Sequence, residues 1–343
     1  MRVVHRDDRE GAIKLRVENA DDLWHLHNLV EPGDLVRAST YRREESKGDK
    51  LRPERMEKVR LTLGIRAEGT EFHDTADRLR VSGVIAEGPQ DLGHHHTLNI
   101  AVGDDLTVVK VWRPYQLRRI EEAVAAAQKP MVTFIAIDDE EALVAHLRQY
   151  GVREIASVQA PHHGKMYPTQ DGTDTYFAET LAALRQSDLG EALVILGPGF
   201  TREEFAVYLR DRAPDLVARS RVFGTSQAGA AGIQEAMKAG LGAKVFEESR
   251  VVLETRAVEQ LLEAIARGTP CAYGPEVRDA VAAGAVETLL VADEAMRDRG
   301  VEALARMAEE ARGKVLVVSS RHEAGTKLAA LGGLGAILRF AIR

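Results

Sequence analysis

From Met1 to about Trp112, apolar and polar residues alternate in short runs separated by turn residues. That alternation predicts strands at AIKLRV (12–17), DLVRAST (34–40), VRLTLGIRAE (59–68), RLRVSGVIAE (78–87), HTLNIAV (96–102) and DLTVVKVW (105–112). One helix interrupts them. Between Ala20 and Val30, residues Leu23, Leu26 and Val30 fall on one stripe, and Pro32-Gly33 stops the run. A short helix with roughly five to six strands predicts a small barrel. Pro114 then opens a helix through Ala127, and Gln128-Lys129-Pro130 reads as a linker.

Beyond Met131 the pattern changes to alternating strand and helix, which predicts α/β architecture. MVTFIAI is a strand, Asp138 is expected to cap a helix to Tyr150, and VREIASVQA is a second strand. The polar loop PHHGKMYPTQDGT leads to a helix over Asp174–Arg185, and LVARSRVFG precedes another helix over Gln227–Ala239. Leu241–Glu248 then joins a third region. There Val258, Leu261, Leu262 and Ile265 give the spacing of a core-facing helix over Thr255–Arg267. Pro275 is expected at the first position of the next helix. VETLLVAD and KVLVVSS read as strands with a helix over Val301–Arg312 between them. A helix over Glu323–Leu331 ends at Gly332-Gly333, and AILRFAI is a terminal strand. No internal repeat or low-complexity tract interrupts the order.

The stretch Ala192–Phe205, ALVILGPGFTREEF, concentrates the functional question. A buried strand meets the tight turn Gly197-Pro198-Gly199. Thr201 and Glu204 then fit a capping box, with Phe200 and Phe205 at the positions of a hydrophobic staple. Such a strand, turn and helix start can be a phosphate cradle, an active-site elbow or a docking turn. Glu203 and Glu204 in the first helical turn would repel a phosphate, and no Walker A or dinucleotide fingerprint is present. A turn held at a fixed approach angle for docking remains.

Composition narrows the class. Apolar residues make up 45% and charged residues 29% of 343 positions, as in ordinary soluble proteins of two to three domains. The single cysteine, Cys271, excludes a disulfide framework and a cysteine zinc site, and fits a reducing cytoplasm. The N-terminus carries no apolar signal region, and no run approaches the ~18 apolar residues that span a bilayer. A soluble, untargeted, cytoplasmic protein is expected, without membrane contact. The net charge of −7 argues against nucleic-acid binding through overall charge. Locally the balance reverses: Arg37–Arg60 holds nine Lys/Arg against five Asp/Glu. Such a basic finger can touch phosphates, or be a solvated loop whose Glu44, Glu45 and Glu54 pair locally; with no aromatic residue between Arg42 and Arg60, it offers no stacking platform.

Other candidate chemistry is weaker. His94-His95-His96 on a strand edge point alternately, so at most two converge, and no carboxylate motif completes a metal site. His162-His163-Gly164-Lys165 can hold a cation, contact phosphates through Lys165, or be a plain polar loop. Asp138-Asp139-Glu140-Glu141 reads as an acidic helix start. There is no G-x-S-x-G, and Cys271 has no visible histidine partner.

Several segments together resemble one family. ADDLWHLHNLVEPGDLVRASTYRR (20–43), HTLNI, LGPGFTREEF, AYGPEVRDAVAAGAVETLLVADE and SSRHEAGTKLAALGGLGAILRF follow in the order of the Pelota family of archaeal and eukaryotic ribosome-rescue factors, paralogues of the class I release factor. The resemblance spans essentially the whole chain. It implies a multi-domain α+β protein: an Sm-like β-barrel with a basic loop over 1–128, a central release-factor-like α/β domain over 131–245, and a C-terminal α/β domain over 250–343 similar to kink-turn-binding ribosomal proteins. It also implies a monomeric tRNA mimic in the ribosomal A site. Its partners would be elongation factor one-alpha in its GTP form and an ABC-type ribosome-splitting ATPase, and it would need no cofactor.

Residue by residue, the family's PGF turn matches Pro198, Gly199 and Phe200, and its YG motif matches Tyr273 and Gly274. Both are implicated in GTPase binding. Its decoding-centre loop matches Arg42, Arg43, Lys47, Lys50, Arg52, Arg55 and Lys58, with Lys165 in the central loop as a further RNA contact. Release factors carry Gly-Gly-Gln near that central loop. Here the sequence is Pro161-His162-His163-Gly164-Lys165, so peptide hydrolysis is not expected. The alternative is an endoribonuclease that cuts mRNA at stalls using a divalent cation, with Asp21, Asp22 and Glu31 as ligands. Capping explains Asp21 and Asp22 without a metal.

Overall fold

A computed structural model describes residues 1–43, 58–126, 131–161, 170–187, 189–190, 192–239 and 250–342. The chain divides into two compact units, Met1–Lys129 and Pro130–Arg343.

The first unit is built on a seven-stranded sheet of β1 (Arg2–Asp7), β2 (Ala12–Arg16), β3 (Leu35–Arg43), β4 (Lys58–His73), β5 (Arg78–Glu87), β6 (His95–Ala101) and β7 (Asp105–Val109), ordered β1-β2-β7-β3-β4-β5-β6. Every pairing is antiparallel. Alternation is strict where one face is buried. In β5, Leu79, Val81 and Ile85 are inside while Arg78, Arg80 and Ser82 face water. Among the described residues no ladder closes the sheet into a barrel, but it curls enough that Thr40 Oγ1 on β3 lies 3.2 Å from His96 Nε2 on β6. Helix α1 (Ala20–Leu29) packs on β4 and β5 and buries Leu23, Trp24, Leu26 and Leu29. Helix α2 (Pro114–Ala126) packs on α1, with the Arg119 guanidinium 4.9 Å from the Trp24 ring centroid. Strand β1 was not legible, because its residues are mostly exposed and polar at the sheet edge.

The second unit contains two sheets. The five-stranded one runs β10 (Gly151–Gln159), β9 (Glu141–Arg148), β8 (Val132–Ile137), β11 (Ala192–Gly197), β12 (Ser220–Gly224). β11 is parallel to β8 and β12, and the β8–β9–β10 side is antiparallel. Strands β8 and β11 are covered on both faces, which explains their unbroken apolar runs. Phe134, Ala136, Val194 and Leu196 face α6 (Gly229–Ala239) and the start of α7 (Arg250–Arg267). Ile135, Ile137, Leu193 and Ile195 face α3 (Gln170–Gln186), α4 (Thr201–Arg212) and α5 (Pro214–Val217).

The expected helix from Asp138 to Tyr150 is instead a turn followed by β9. Asp138 Oδ1 accepts from the amides of Glu140 (2.9 Å) and Glu141 (2.8 Å), which folds residues 138–141 into a hairpin turn rather than capping a helix. Ala142–Leu147 then lie buried between two strands, and tertiary pairing overrides the helix preference of Ala and Leu.

The four-stranded sheet runs β13 (Cys271–Tyr273), β16 (Leu334–Leu338), β14 (Val286–Ala292), β15 (Lys314–Val318). Val258 and Leu261 of α7 and Leu328 of α10 (Glu323–Ala330) cover Leu290 and Val318 of this sheet. Helices α8 (Val277–Ala282) and α9 (Arg299–Glu310) also pack on it. Pro275 sits in a short 3-10 turn, Gly274–Glu276, that leads into α8. At the joint between the sheets, fully buried Glu254 of α7 accepts from Arg250 Nε (2.6 Å), His322 Nε2 (2.7 Å) and the Ser319 amide (2.8 Å).

Candidate functional site: an exposed aromatic turn

Strand β11 ends where it must. A Cβ on Gly197 would fall 1.8 Å from the Ile137 carbonyl oxygen of β8, so only glycine lets the two strands finish side by side. The chain turns through Pro198 and Gly199, the latter at φ +60° with open space where a side chain would be. Phe200 follows, and 76% of it is exposed. The ring is thus a large apolar side chain held mostly in solvent at the tip of a tight turn.

The devices that hold this turn differ from those expected. Helix α4 starts at Thr201, but Phe200 occupies the cap position and no side chain caps the helix. The Phe200 carbonyl accepts from the amides of Glu203 (2.8 Å) and Glu204 (3.0 Å), so Thr201 is already helical and the capping box does not form. The staple is absent too. Phe205 is fully buried against the rings of Phe177 and Tyr208, while Phe200 points to water.

Arg202 fixes the turn instead. Its Nη1 donates to the Gly197 carbonyl at 3.0 Å and also to the Gly199 carbonyl, and its Nη2 meets Glu203 Oε1 at 3.0 Å. One planar guanidinium therefore spans the turn, a geometry that lysine's point charge does not reproduce. Sequence reasoning missed Arg202 because it weighed TREEF only for its capping residues. The usable signal was an arginine placed just beyond a glycine turn whose carbonyls need donors.

The second exposed aromatic of this unit's expected site is Tyr273, at the end of edge strand β13 and 41% exposed. Gly274 after it adopts φ +58°, and a Cβ there would lie 3.2 Å from the Leu331 carbonyl oxygen. Glycine is thus needed to turn the chain against the end of α10. The Cys271 thiol nearby is pushed up by burial and by Glu276, which disfavours a thiolate nucleophile.

In the first unit, Asp22 and Glu31, candidate ligands under the nuclease alternative, are engaged otherwise. Buried Asp22 accepts from the Met1 amino group (2.7 Å) and from the amides of Glu18 (2.7 Å) and Asn19 (3.1 Å), forming a capping box with Asn19. Asp21 lies in the same first turn of α1. Glu31 bonds Lys110 at 2.8 Å and Arg113 at 3.2 Å, and Lys110 also bonds Asp34 at 2.7 Å. Burial raises the Glu31 carboxyl, but Lys110 and Arg113 outweigh it and leave it below its ordinary value; at Asp34 burial prevails and the shift is upward. Among the described residues, no group of three or more His, Cys, Asp or Glu is placed to share an ion. His95 meets Glu68 at 3.3 Å while His96 meets Thr40, so these neighbours diverge.

Of the expected RNA contacts, Arg42, Arg43 and Lys58 lie at the facing ends of β3 and β4, with side chains outside the described ones. Lys47, Lys50, Arg52, Arg55 and the loop holding His162, His163 and Lys165 lie outside the described residues. Among the described residues, no helix is long and apolar enough to cross a membrane.

Residues 1–124 match the family model described as Pelota N-terminal domain, and residues 251–342 match eRF1 domain 3. The chain is 41% identical to the Methanocella arvoryzae protein pelota homolog, over 97% of this chain and 96% of that one. It is 41% identical to the Pyrococcus abyssi homolog over the full length of both. Its fold is similar to the crystal structure of Thermoplasma acidophilum Pelota, with a TM-score of 0.80 at 24% identity over the full length of both chains. It is also similar to Saccharomyces cerevisiae Dom34, described as a translation termination-like factor interacting with Hbs1, with a TM-score of 0.56 at 18% identity over 100% of this chain and 99% of that one.

Proposed function

The chain belongs to the Pelota family, and from that premise we propose that it rescues stalled ribosomes as a tRNA mimic, working by binding rather than by bond cleavage. In this reading, it enters an unproductive A site with elongation factor one-alpha in its GTP form. An ABC-type ATPase then acts with it to separate the subunits, and the chain itself needs no cofactor. The first unit acts as an Sm-like domain directed at the decoding centre. The two sheets of the second unit act as the central and last release-factor-like domains, the last similar to kink-turn-binding proteins.

The observation that carries the GTPase part is the Arg202-braced turn that presents Phe200 to solvent. Its first helical turn carries Glu203 and Glu204, so the site repels a nucleotide and suits a protein surface. The nucleotide belongs to the partner. Lack of peptide hydrolysis is supported by the fate of the chain's Gly-Gly pair. Gly332 and Gly333, at φ +93° and +76°, terminate α10 and are followed by Leu334, not by glutamine.

The test is a pull-down of the full chain with GTP-loaded elongation factor one-alpha. Retention by the wild type and loss in a Phe200→Ala, Tyr273→Ala double variant are expected. Equal retention by both would sink this interface.

A further inference from the structure

The outer face of β3 and β4 carries an exposed aromatic ring beside a cation. Thr40 turns toward His96 across the curl of the sheet, and Val36 and Ala38 are buried, so Arg37, Ser39 and Tyr41 share the opposite, solvent-facing side. The register pairs Tyr41 with Arg60, Ser39 with Thr62 and Arg37 with Gly64. Directly opposed residues share a face, so these form one strip. At its far end Gly64 has no side chain, and Arg37 lies across it to grip Glu87 through Nε–Oε2 at 2.6 Å and Nη2–Oε1 at 3.0 Å. That fork neutralises the carboxylate that would otherwise repel a phosphate along the strip. At the near end the Tyr41 ring is 64% exposed, beside exposed Arg60.

We propose that Tyr41, with Arg60 opposite it, is a stacking platform for an unpaired base of single-stranded RNA, with Arg60 taking the adjoining phosphate. This deepens the reading that the first unit meets RNA, and rests on it. An exposed phenol ring gives a π-face that accepts any base, and a cation one strand away suits the backbone. The segment Arg37–Arg60 carries nine basic against five acidic residues in a chain of net charge −7, so this part of the sequence attracts phosphates. A protein partner fits less well: Ser39, Thr62 and Arg60 surround the ring, and no apolar neighbour on the strip would make the dry centre of a protein interface. A duplex fits less well because its bases already stack on each other.

Fluorescence anisotropy of the full chain with a labelled single-stranded oligouridine, and with a duplex RNA of equal length, tests this. Tyr41→Ala should weaken single-strand binding about tenfold and leave duplex binding and the salt slope unchanged, because the phenol carries no charge. Tyr41→Phe should bind within about twofold of wild type, since stacking needs only the ring. Arg60→Ala should reduce the slope of log affinity against log salt by about one. Wild-type affinity in Tyr41→Ala, an equal loss on both RNAs, or no single-strand binding by the wild type would each overturn the platform. The GTPase pull-down would be unaffected, so failure here is separate from failure of the rescue reading.

Discussion

Replacing Arg202 with alanine separates the shape of the Phe200 turn from its chemistry. The side chain donates to the Gly197 and Gly199 carbonyls and pairs with Glu203. Charged hydrogen bonds contribute about 1.5–3 kcal/mol each when well shielded. Arg202 is 18% exposed and Glu203 is 56% exposed, so the ion pair adds little; the Gly199 bond is exposed and the Gly197 bond only part-buried, so water replaces much of both and the total comes to about 1–2 kcal/mol. For a unit the size of Pro130–Arg343, this corresponds to a fall in Tm of roughly 2–8 °C by calorimetry. The larger effect is on binding. A turn released from its brace must be ordered again on docking, at a cost of about 0.5–1.5 kcal/mol for each side chain held, or roughly twofold to tenfold in Kd. Phe200→Ala should behave in the opposite way: no change in Tm, because the ring is exposed, but a loss of at least 2 kcal/mol, about thirtyfold, in affinity for the GTP-bound partner. If Arg202 acts by positioning Phe200, the double variant should bind no more weakly than Phe200→Ala alone. Titration calorimetry of the four proteins reads this directly. Additive losses would refute the reasoning and make Arg202 a direct contact.

Two further outcomes follow from the buried charges. Burial opposes ionisation of Glu254, but Arg250, His322 and the Ser319 amide hold its carboxyl below the ordinary value. A lowered folded-state value stabilises above the unfolded pKa of about 4.3 and is lost as pH falls through the folded one. Glu254→Gln should therefore cost about 3–5 kcal/mol near pH 7 by urea unfolding, with the gap from wild type closing below about pH 4; a gap independent of pH would refute the ionised assignment. Asp22→Ala removes the acceptor for two amides and the Met1 amino group. It should lower the Tm of the first unit by calorimetry. Magnesium-dependent RNA cleavage that is abolished by Asp21→Ala without loss of Tm would instead support the nuclease alternative.

The strands of the first unit were legible because each buries one face and shows the alternation plainly, as in β5. The closed barrel expected from the strand count is not found among the described residues, since curl is set by pairing rather than by period. Residues 138–150 misled because an acidic start and an Ala/Leu-rich run favour a helix locally. Only the pairing of β9 with β8 and β10 shows otherwise. At the turn, the glycines and the exposed aromatic were readable. The expected mechanism of rigidity did not, because Thr201 and Glu204 fit a capping box one position from where the helix begins. Tyr41 was not legible for a related reason: it reads as one more residue of an alternating strand, and only the register with Arg60 sets its ring beside a cation.

The most direct test of the central claim uses stalled ribosomes carrying labelled peptidyl-tRNA, incubated with the full chain, GTP-bound elongation factor one-alpha and the ABC-type ATPase. Sucrose-gradient sedimentation reads subunit separation, and the label reads the peptide bond to tRNA. Rescue without hydrolysis predicts separated subunits with the peptide still on tRNA, dependent on Phe200. Released peptide, or ribosomes that remain joined, would contradict it.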